Sequence, residues 1–175
     1  MAEKETNPKA KILILGGIKS GKSRLALKIA SQFSGPRFFV ATAEPFDEEM
    51  ARKIAAHRKE RGQSWHTLEA PVELPNTLRK LPSQGVCLVD CLTVWLGNLW
   101  HYQKDLETYC EDLLKAIEEM KIPCVFVSNE VGLGIMPAEK AGKTFAEKLG
   151  LLNQRVAGVC EEVYLVVAGS PLRLK

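Results

Sequence analysis

The sequence predicts an α/β fold in which a mostly parallel sheet is covered by helices on both faces. Short apolar segments of strand length recur along the chain, at 11–15, 37–41, 85–90, 123–128 and 162–169. Between most of them, apolar residues recur every three or four positions, as on the buried face of a helix. Continuous apolar strands that alternate with helices are typical of a parallel sheet buried on both faces.

The helices follow from the spacing of apolar residues. A first helix carries Leu25, Ile29 and Phe33 on one face. A later helix carries Leu106, Cys110, Leu113, Ile117 and Met120. A third and longer helix is expected to begin near Pro137, a residue suited to a first helical turn, and to run through Val156. The proline-rich stretch 70–84 predicts a short helix between turns.

Length and composition indicate one globular domain at 11–175, after a flexible leader at 1–10. The chain is 46% hydrophobic and 26% charged, which favours neither a disordered nor a membrane protein. A net charge of +3 without a basic stripe does not indicate nucleic-acid binding. The five cysteines form no CxxC pair, so we expect buried thiols in a soluble protein of the reducing cytoplasm.

The stretch GGIKSGKS matches the phosphate-loop pattern G-x-x-x-x-G-K-[ST] directly after a predicted strand and at the start of a predicted helix. Its residues are Gly16, Gly17, Ile18, Lys19, Ser20, Gly21, Lys22 and Ser23. In such a loop, backbone N–H groups and the helix N-terminus attract phosphate oxygens. Lys22 would add a positive charge, and the Ser23 hydroxyl would bind Mg²⁺.

Two further segments follow predicted strands and place polar groups at the same sheet edge, where open α/β sheets bind ligands. Asp90 ends the third strand, where it could hold Mg²⁺ or simply cap the next helix. Asn129 and Glu130 follow the fourth strand, in a segment that fits either an active-site loop or an ordinary turn.

One histidine, His57, lies at the cationic end of a predicted helix that starts after the second strand. Acidic residues fill the first turn of this helix, and Arg58, Lys59 and Arg61 fill the last, an order that complements the helix dipole. A solvated helix end is therefore enough to explain these cations. They could also keep a nucleophilic imidazole neutral and bind the phosphates that it attacks. His66 and His101 have no comparable surroundings and are interpreted as structural.

Five blocks together resemble one known family, the bifunctional adenosylcobinamide kinase and adenosylcobinamide-phosphate guanylyltransferase of cobalamin biosynthesis. They are GGIKSGKSRLA, ATAEPFDEEMARKIAAHRKERGQSWHTLE, VDCLTVWLGNL, SNEVGLGIMP and LLNQRVAGVCEEVYLVVAGSPLRLK. The resemblance covers nearly the whole chain from Lys11 onward. The order and spacing of the blocks make it more specific than any single motif.

The resemblance implies a RecA-like P-loop fold, a homotrimer, and two reactions. A nucleoside triphosphate, ATP or GTP, phosphorylates adenosylcobinamide, and GMP from GTP is then transferred to adenosylcobinamide phosphate through a guanylylated histidine, which matches His57. Lys22 would be the second catalytic residue, while the Mg²⁺ ligands Ser23 and Asp90 follow from the phosphate-loop motif and the strand-end position themselves. Guanine-nucleotide contacts would come from Thr42, Ala43, Glu44, Arg58, Lys59, Glu60, Arg61, Glu69 and Asp90.

Two positions and one stretch depart from the family pattern. Gly62 stands where the family often has proline, Lys19 replaces a common arginine, and 143–150 lacks arginines often found there. From the residues alone, two other functions remain open. The chain could be a P-loop small-molecule kinase without guanylyl transfer, or a regulatory module whose bound nucleotide controls a partner.

Overall fold

The computed structural model describes residues 10–48, 51–52, 55, 58–59, 62, 64–134 and 137–175. The strands in these residues are β1 (Lys11–Gly16), β2 (Arg37–Ala41), β3 (Trp65–Glu69), β4 (Val86–Asp90), β5 (Cys124–Asn129), β6 (Glu162–Val167) and β7 (Ser170–Arg173). The helices are α1 (Lys22–Ala30), α2 (Leu74–Arg79), α3 (Leu92–His101), α4 (Leu106–Glu119) and α5 (Lys140–Val159). Glu48, Ala51, Arg52, Ala55, Arg58 and Lys59 are also helical.

In the described residues the strands form one seven-stranded sheet in the order β3-β2-β4-β5-β1-β6-β7. Every neighbouring pair is parallel except β6 and β7, which are antiparallel. The predicted α/β fold is therefore confirmed. Because β1 to β5 are parallel, their carboxyl ends meet at one edge of the sheet.

Alternate residues of each central strand face two separate cores. On one face, Ile12, Ile14 and Val125 pack against Ala26 and Ala30 of α1. On the other face, Leu13, Val89 and Phe126 join residues of α2, α3, α4 and α5 in a larger core. The helices thus cover both faces of the sheet, as continuous apolar strands require.

Several boundaries differ from the sequence prediction. The long helix α5 begins at Lys140 rather than near Pro137, and Pro137 instead lies against its first turn, where a Cβ on Gly142 would come within 2.6 Å of the Pro137 Cβ. The segment 162–169 is not one strand. A turn at Ala168 and Gly169, with φ of 50° and 79°, reverses the chain into β7.

The prediction of buried thiols is confirmed, since all five cysteines are buried and unpaired. Ala10, the last residue of the expected leader, is buried beside α1. Among the described helices, none is both long and apolar enough to cross a membrane.

Candidate active site

The phosphate loop joins the end of β1 to the start of α1. Gly21 occupies the N-cap position of α1 with a φ of +103°, a left-handed conformation that favours glycine. The Lys22 Nζ atom donates to the carbonyl oxygen of Gly17 at 3.1 Å, so the lysine side chain folds back over its own loop. The loop has the geometry of an anion site at a helix N-terminus.

Neighbouring segments hold this loop through its backbone. Gly169, in the β6–β7 turn, donates its N–H to the Ser20 carbonyl oxygen at 2.9 Å. Glu130 donates its N–H to the Gly16 carbonyl oxygen at 3.1 Å. The Ser20 Oγ atom is buried and, among the described residues, has no hydrogen-bond partner. A buried hydroxyl without a partner is costly, and it offers a donor to a bound phosphate.

Asp90 ends β4 and Thr42 follows β2, at the same edge of the sheet as the loop. The Thr42 hydroxyl donates to the Cys91 carbonyl oxygen at 2.8 Å and accepts from the Cys91 N–H at 2.9 Å. The peptide bond between Asp90 and Cys91 is cis. Burial raises the pKa of the Cys91 thiol to about 12, with a further increase from Asp90 and an opposing effect of Lys22. Cys91 is therefore a neutral thiol, and both Asp90 and Lys22 lie close enough to influence it.

The donor set at this position fits Mg²⁺. Ser23 lies in the first turn of α1 and Asp90 at the end of β4, and a hydroxyl and a carboxylate are the hard oxygen ligands that Mg²⁺ prefers. Asp90 does not occupy the N-cap position of α3, which belongs to Cys91. Among the described residues, no group of three or more histidine, cysteine or carboxylate side chains could hold a metal. A Mg²⁺ ion here would therefore share its coordination with nucleotide phosphates and water.

Glu44 follows β2, two residues after Thr42, with the half-buried Ala43 between them. The Tyr102 hydroxyl, just beyond α3, donates to Glu44 Oε2 at 3.0 Å, and this bond raises the pKa of Tyr102 above its ordinary value. Glu44 borders a cavity of about 380 Å³ between the segment after β2 and α3. His101, interpreted as structural from sequence, also borders this cavity.

The cationic helix end approaches the same edge of the sheet. Arg58 Nη2 lies 3.7 Å from Glu69 Oε1, and Glu69 is the last residue of β3. Lys59 is exposed and helical. Gly62 donates its N–H to the Lys59 carbonyl oxygen at 3.3 Å and has a φ of +74°, which a proline at this position could not adopt. The predicted site residues His57, Glu60 and Arg61 lie outside the described residues.

Polar side chains that the sequence did not single out support the loop after β5. Thr93 Oγ1 accepts from the Asn129 N–H at 2.7 Å. Asn153, buried in α5, accepts from the Ser128 hydroxyl at 2.7 Å and donates to the Asn129 carbonyl oxygen at 3.0 Å. For Asn153 the available signal was a polar residue on the buried face of α5, next to Leu149, Leu152 and Val156. The Glu130 side chain accepts from Gly132 N–H at 2.6 Å, so it closes its own turn.

His66 and Trp65 point to opposite faces of the sheet, because they are successive residues of β3. The His66 ring stacks on Phe38 with centroids 5.7 Å apart, whereas Trp65 meets Phe39 edge to face at 6.2 Å.

Comparison with solved structures supports the fold alone. A prototypical ATPase from the type III secretion system of pathogenic bacteria superimposes with a TM-score of 0.56 at 10% identity, covering 90% of this chain and 51% of that chain. The flagellar accessory protein FlaH from Methanocaldococcus jannaschii gives a TM-score of 0.50 at 12% identity, covering 96% and 79%. These neighbours confirm a P-loop, RecA-like architecture.

Sequence comparison identifies the family. The chain is 43% identical to the bifunctional adenosylcobalamin biosynthesis protein CobP of Pseudomonas aeruginosa, over 93% of this chain and 96% of that protein. It is 32% identical to the corresponding protein CobU of Escherichia coli, over 94% of this chain and 99% of that protein. The family described as "Cobinamide kinase / cobinamide phosphate guanyltransferase" matches residues 12–174. The chain therefore belongs to this family of bifunctional enzymes of cobalamin biosynthesis.

Proposed function

We propose that the chain phosphorylates adenosylcobinamide with ATP or GTP and then transfers GMP from GTP to adenosylcobinamide phosphate, giving adenosylcobinamide-GDP. The observation that carries the proposal is that two features lie at the same carboxyl edge of the sheet. The phosphate loop follows β1, and the Arg58–Glu69 pair lies at the end of β3. Arg58 directly follows His57 in the sequence.

In the kinase reaction, Lys22 and the N–H groups at the start of α1 bind the β- and γ-phosphates. The acceptor hydroxyl oxygen forms a bond to the γ-phosphorus and loses its proton, while the bond from that phosphorus to the β-phosphate oxygen breaks. Ser23 and Asp90 would hold Mg²⁺, and the ion would offset the negative charge of the phosphates. The orphan Ser20 hydroxyl offers a further donor to a phosphate oxygen.

In the guanylyl transfer, a nitrogen of His57 forms a bond to the α-phosphorus of GTP, and pyrophosphate leaves. A phosphate oxygen of the acceptor then attacks the same phosphorus, and the imidazole leaves. Arg58, Lys59 and Arg61 stabilise the charge on the phosphates and disfavour a protonated imidazole. Glu69 orients Arg58, and Thr42, Ala43, Glu44 and Glu60 contribute the remaining nucleotide contacts. The working enzyme is a homotrimer, and light scattering tests this oligomeric state. It acts in the cytoplasm, and cell fractionation tests this location.

Intact mass spectrometry after incubation with GTP and Mg²⁺ tests the covalent step. We expect a guanylyl-sized adduct that is stable to alkali and labile to acid, because a phosphoramidate has this behaviour. The His57→Ala variant should carry no adduct. The matched control is His66→Ala, whose exposed ring stacks on Phe38 at the sheet margin, and it should be guanylylated like the wild type.

Two outcomes would redirect the assignment. If nucleotide binds but no adduct forms, the chain is a P-loop kinase without guanylyl transfer. If cobinamide is not phosphorylated by either ATP or GTP, a nucleotide-dependent regulatory module becomes the better description.

A further inference from the structure

The end of β5 carries an amide side chain that makes no hydrogen bond to the described protein. Asn129 is the last residue of β5 and is half-buried. Its backbone N–H and carbonyl oxygen are both bonded, but among the described residues its side-chain amide has no hydrogen-bond partner. An amide offers two donors and one acceptor, so this side chain can serve a ligand.

The register of the sheet places this amide beside the phosphate loop. Gly16, the first residue of the loop, pairs with Asn129 in the parallel ladder of β1 and β5, so their Cα atoms lie about 5 Å apart. Val125 and Val127 of β5 face α1. Because side chains alternate along a strand, Asn129 points to that same face, the one on which the phosphate loop enters α1.

The proposed Mg²⁺ ligand Asp90 lies on this face as well. Val86 and Leu88 of β4 pack with α1, and Asp90 continues their alternation. Asp90 pairs with Val127, two residues before Asn129. Since β5 lies between β4 and β1 in the sheet, the amide lies between the strand that carries Asp90 and the strand that carries the phosphate loop.

Side chains from two helices hold the backbone of Asn129 where the strand ladder stops. β4 ends at Asp90, opposite Val127, so its ladder does not reach Asn129. In its place Thr93 of α3 accepts from the Asn129 N–H at 2.7 Å, and Asn153 of α5 donates to the Asn129 carbonyl oxygen at 3.0 Å. The point from which the free amide projects is therefore fixed on both sides.

Asn153 is a polar residue on the buried face of α5. Its neighbours on that face, Leu149, Leu152 and Val156, are apolar, so packing alone does not require an asparagine. The side chain accepts from the buried Ser128 hydroxyl at 2.7 Å, in addition to its bond to β5. A buried polar network whose members are satisfied favours one rigid arrangement, here that of the end of β5.

We propose that Asn129 is a further catalytic residue of the kinase reaction, with its Nδ2 atom donating to an oxygen of the γ-phosphate, and that Asn153 is its positioning residue. A donor fixed in advance stabilises the charge on the transferred group without having to reorganise during the reaction. Asn153 does not touch the nucleotide and acts only through Asn129. This inference rests on the proposed kinase function.

Nucleotide binding tests the contact without any group transfer. The β,γ-imido analogues of ATP and GTP carry a γ-phosphoryl group, and ADP and GDP lack it. Calorimetry on the full chain with Mg²⁺ gives the ratio of analogue to diphosphate affinity. Asn129→Ala should lower this ratio about tenfold, the effect of losing one hydrogen bond to a charged group. Asn129→Asp should lower it further, because a carboxylate repels the phosphate.

A double-mutant cycle tests the positioning role. Asn129→Ala should lower the kcat of cobinamide phosphorylation about 100-fold and leave the KM for cobinamide nearly unchanged. Asn153→Leu removes the bond to the Asn129 carbonyl oxygen and should lower kcat by a smaller factor, about tenfold. In the Asn129→Ala background, Asn153→Leu should cause no further loss, because the group through which it acts is gone.

Val156→Ala is the matched control for Asn153→Leu. Val156 is fully buried one turn further along α5, and it takes part in none of these hydrogen bonds. The control should lower the unfolding temperature, because it leaves a cavity, and should keep the wild-type kcat. A loss of kcat in Val156→Ala as large as that in Asn153→Leu would show that Asn153 affects the rate only through stability.

The catalytic role is overturned if Asn129→Ala keeps the wild-type affinity ratios, or if Asn129→Asp binds the analogues better than Asn129→Ala does. Independent, multiplicative losses of kcat in the double mutant would overturn the positioning role of Asn153. Failure of the proposed kinase function has a different result. The wild type would then not phosphorylate cobinamide, whereas the affinity ratios would still show whether Asn129 contacts the γ-phosphate.

Discussion

At the amino end of the strands, charged side chains are paired within the protein, whereas at the carboxyl end the phosphate loop leaves polar groups for a ligand. Arg79, at the end of α2, contacts Asp112 at 2.6 Å and Glu119 at 2.8 Å. The buried Lys11 donates to the Ile122 carbonyl oxygen at 3.2 Å.

At the carboxyl end, Lys22 bonds only within its own loop, and the buried Ser20 hydroxyl has no partner among the described residues. Substitutions at the two ends should therefore separate stability from activity.

The largest effect is expected from Lys22→Met. Removing the charge that faces the β- and γ-phosphates should lower the rate of cobinamide phosphorylation about 100- to 1000-fold, the usual loss when one group that stabilises a transition state is removed. The free energy of unfolding should change by less than about 0.5 kcal/mol, because the lysine bonds only within its loop. Steady-state kinetics and urea unfolding measure the two quantities.

Lys28→Met is the control for this variant, since Lys28 is exposed in the last turn of α1. It should keep the wild-type rate. A Lys22→Met enzyme that phosphorylates cobinamide at the wild-type rate would show that the phosphate loop does not serve the kinase reaction.

A second and smaller effect tests how the loop is shaped. A Cβ at Gly16 would lie 2.8 Å from the Val166 carbonyl oxygen and 2.5 Å from Ser20 Oγ, so Gly16→Ala should destabilise the fold by about 1–3 kcal/mol. A Cβ at Gly17 would meet nothing within 4 Å. Gly17→Ala should therefore unfold at nearly the wild-type temperature. Equal unfolding temperatures for the two variants would mean that β6 does not brace the loop.

The sequence predicted the parts of the carboxyl edge that depend on local patterns. The strand, glycine loop and helix around Lys22 form one continuous motif, and the strand-end positions of Thr42 and Asp90 follow from apolar runs. The strand β3 was missed because it is the edge strand at one side of the sheet and its five residues lack a continuous apolar run. The strand β7 was missed because its residues are exposed and include Pro171, which an edge strand tolerates.

Long-range contacts could not be predicted in the same way. The bond from Gly169 to the Ser20 carbonyl oxygen joins residues far apart in the chain, and no local pattern marks it. The same holds for the bond between Tyr102 and Glu44, which depends on where α3 ends relative to β2. His101 was interpreted as structural because it follows the apolar stretch VWLGNLW. That stretch packs α3 against the sheet, and His101 at the end of the helix borders the cavity beside Glu44.

Arg79→Met tests the amino end, where the effect should be smallest and should fall on stability alone. Losing a paired arginine that is 30% exposed should lower the free energy of unfolding by about 1 kcal/mol at pH 7, and cobinamide phosphorylation should be unchanged.

The effect of this variant should also depend on pH. Arg79 holds the pKa of Asp112 below its ordinary value of 3.8, chiefly through their hydrogen bond. A carboxyl group whose pKa is lowered in the folded state stabilises the fold above its unfolded pKa, and it loses this contribution as the pH falls through the folded pKa. The difference between wild type and variant should therefore shrink below about pH 4. Urea unfolding at pH 7 and pH 3 measures this change, and a difference that stays constant across the two values would show that the ion pair contributes nothing through charge.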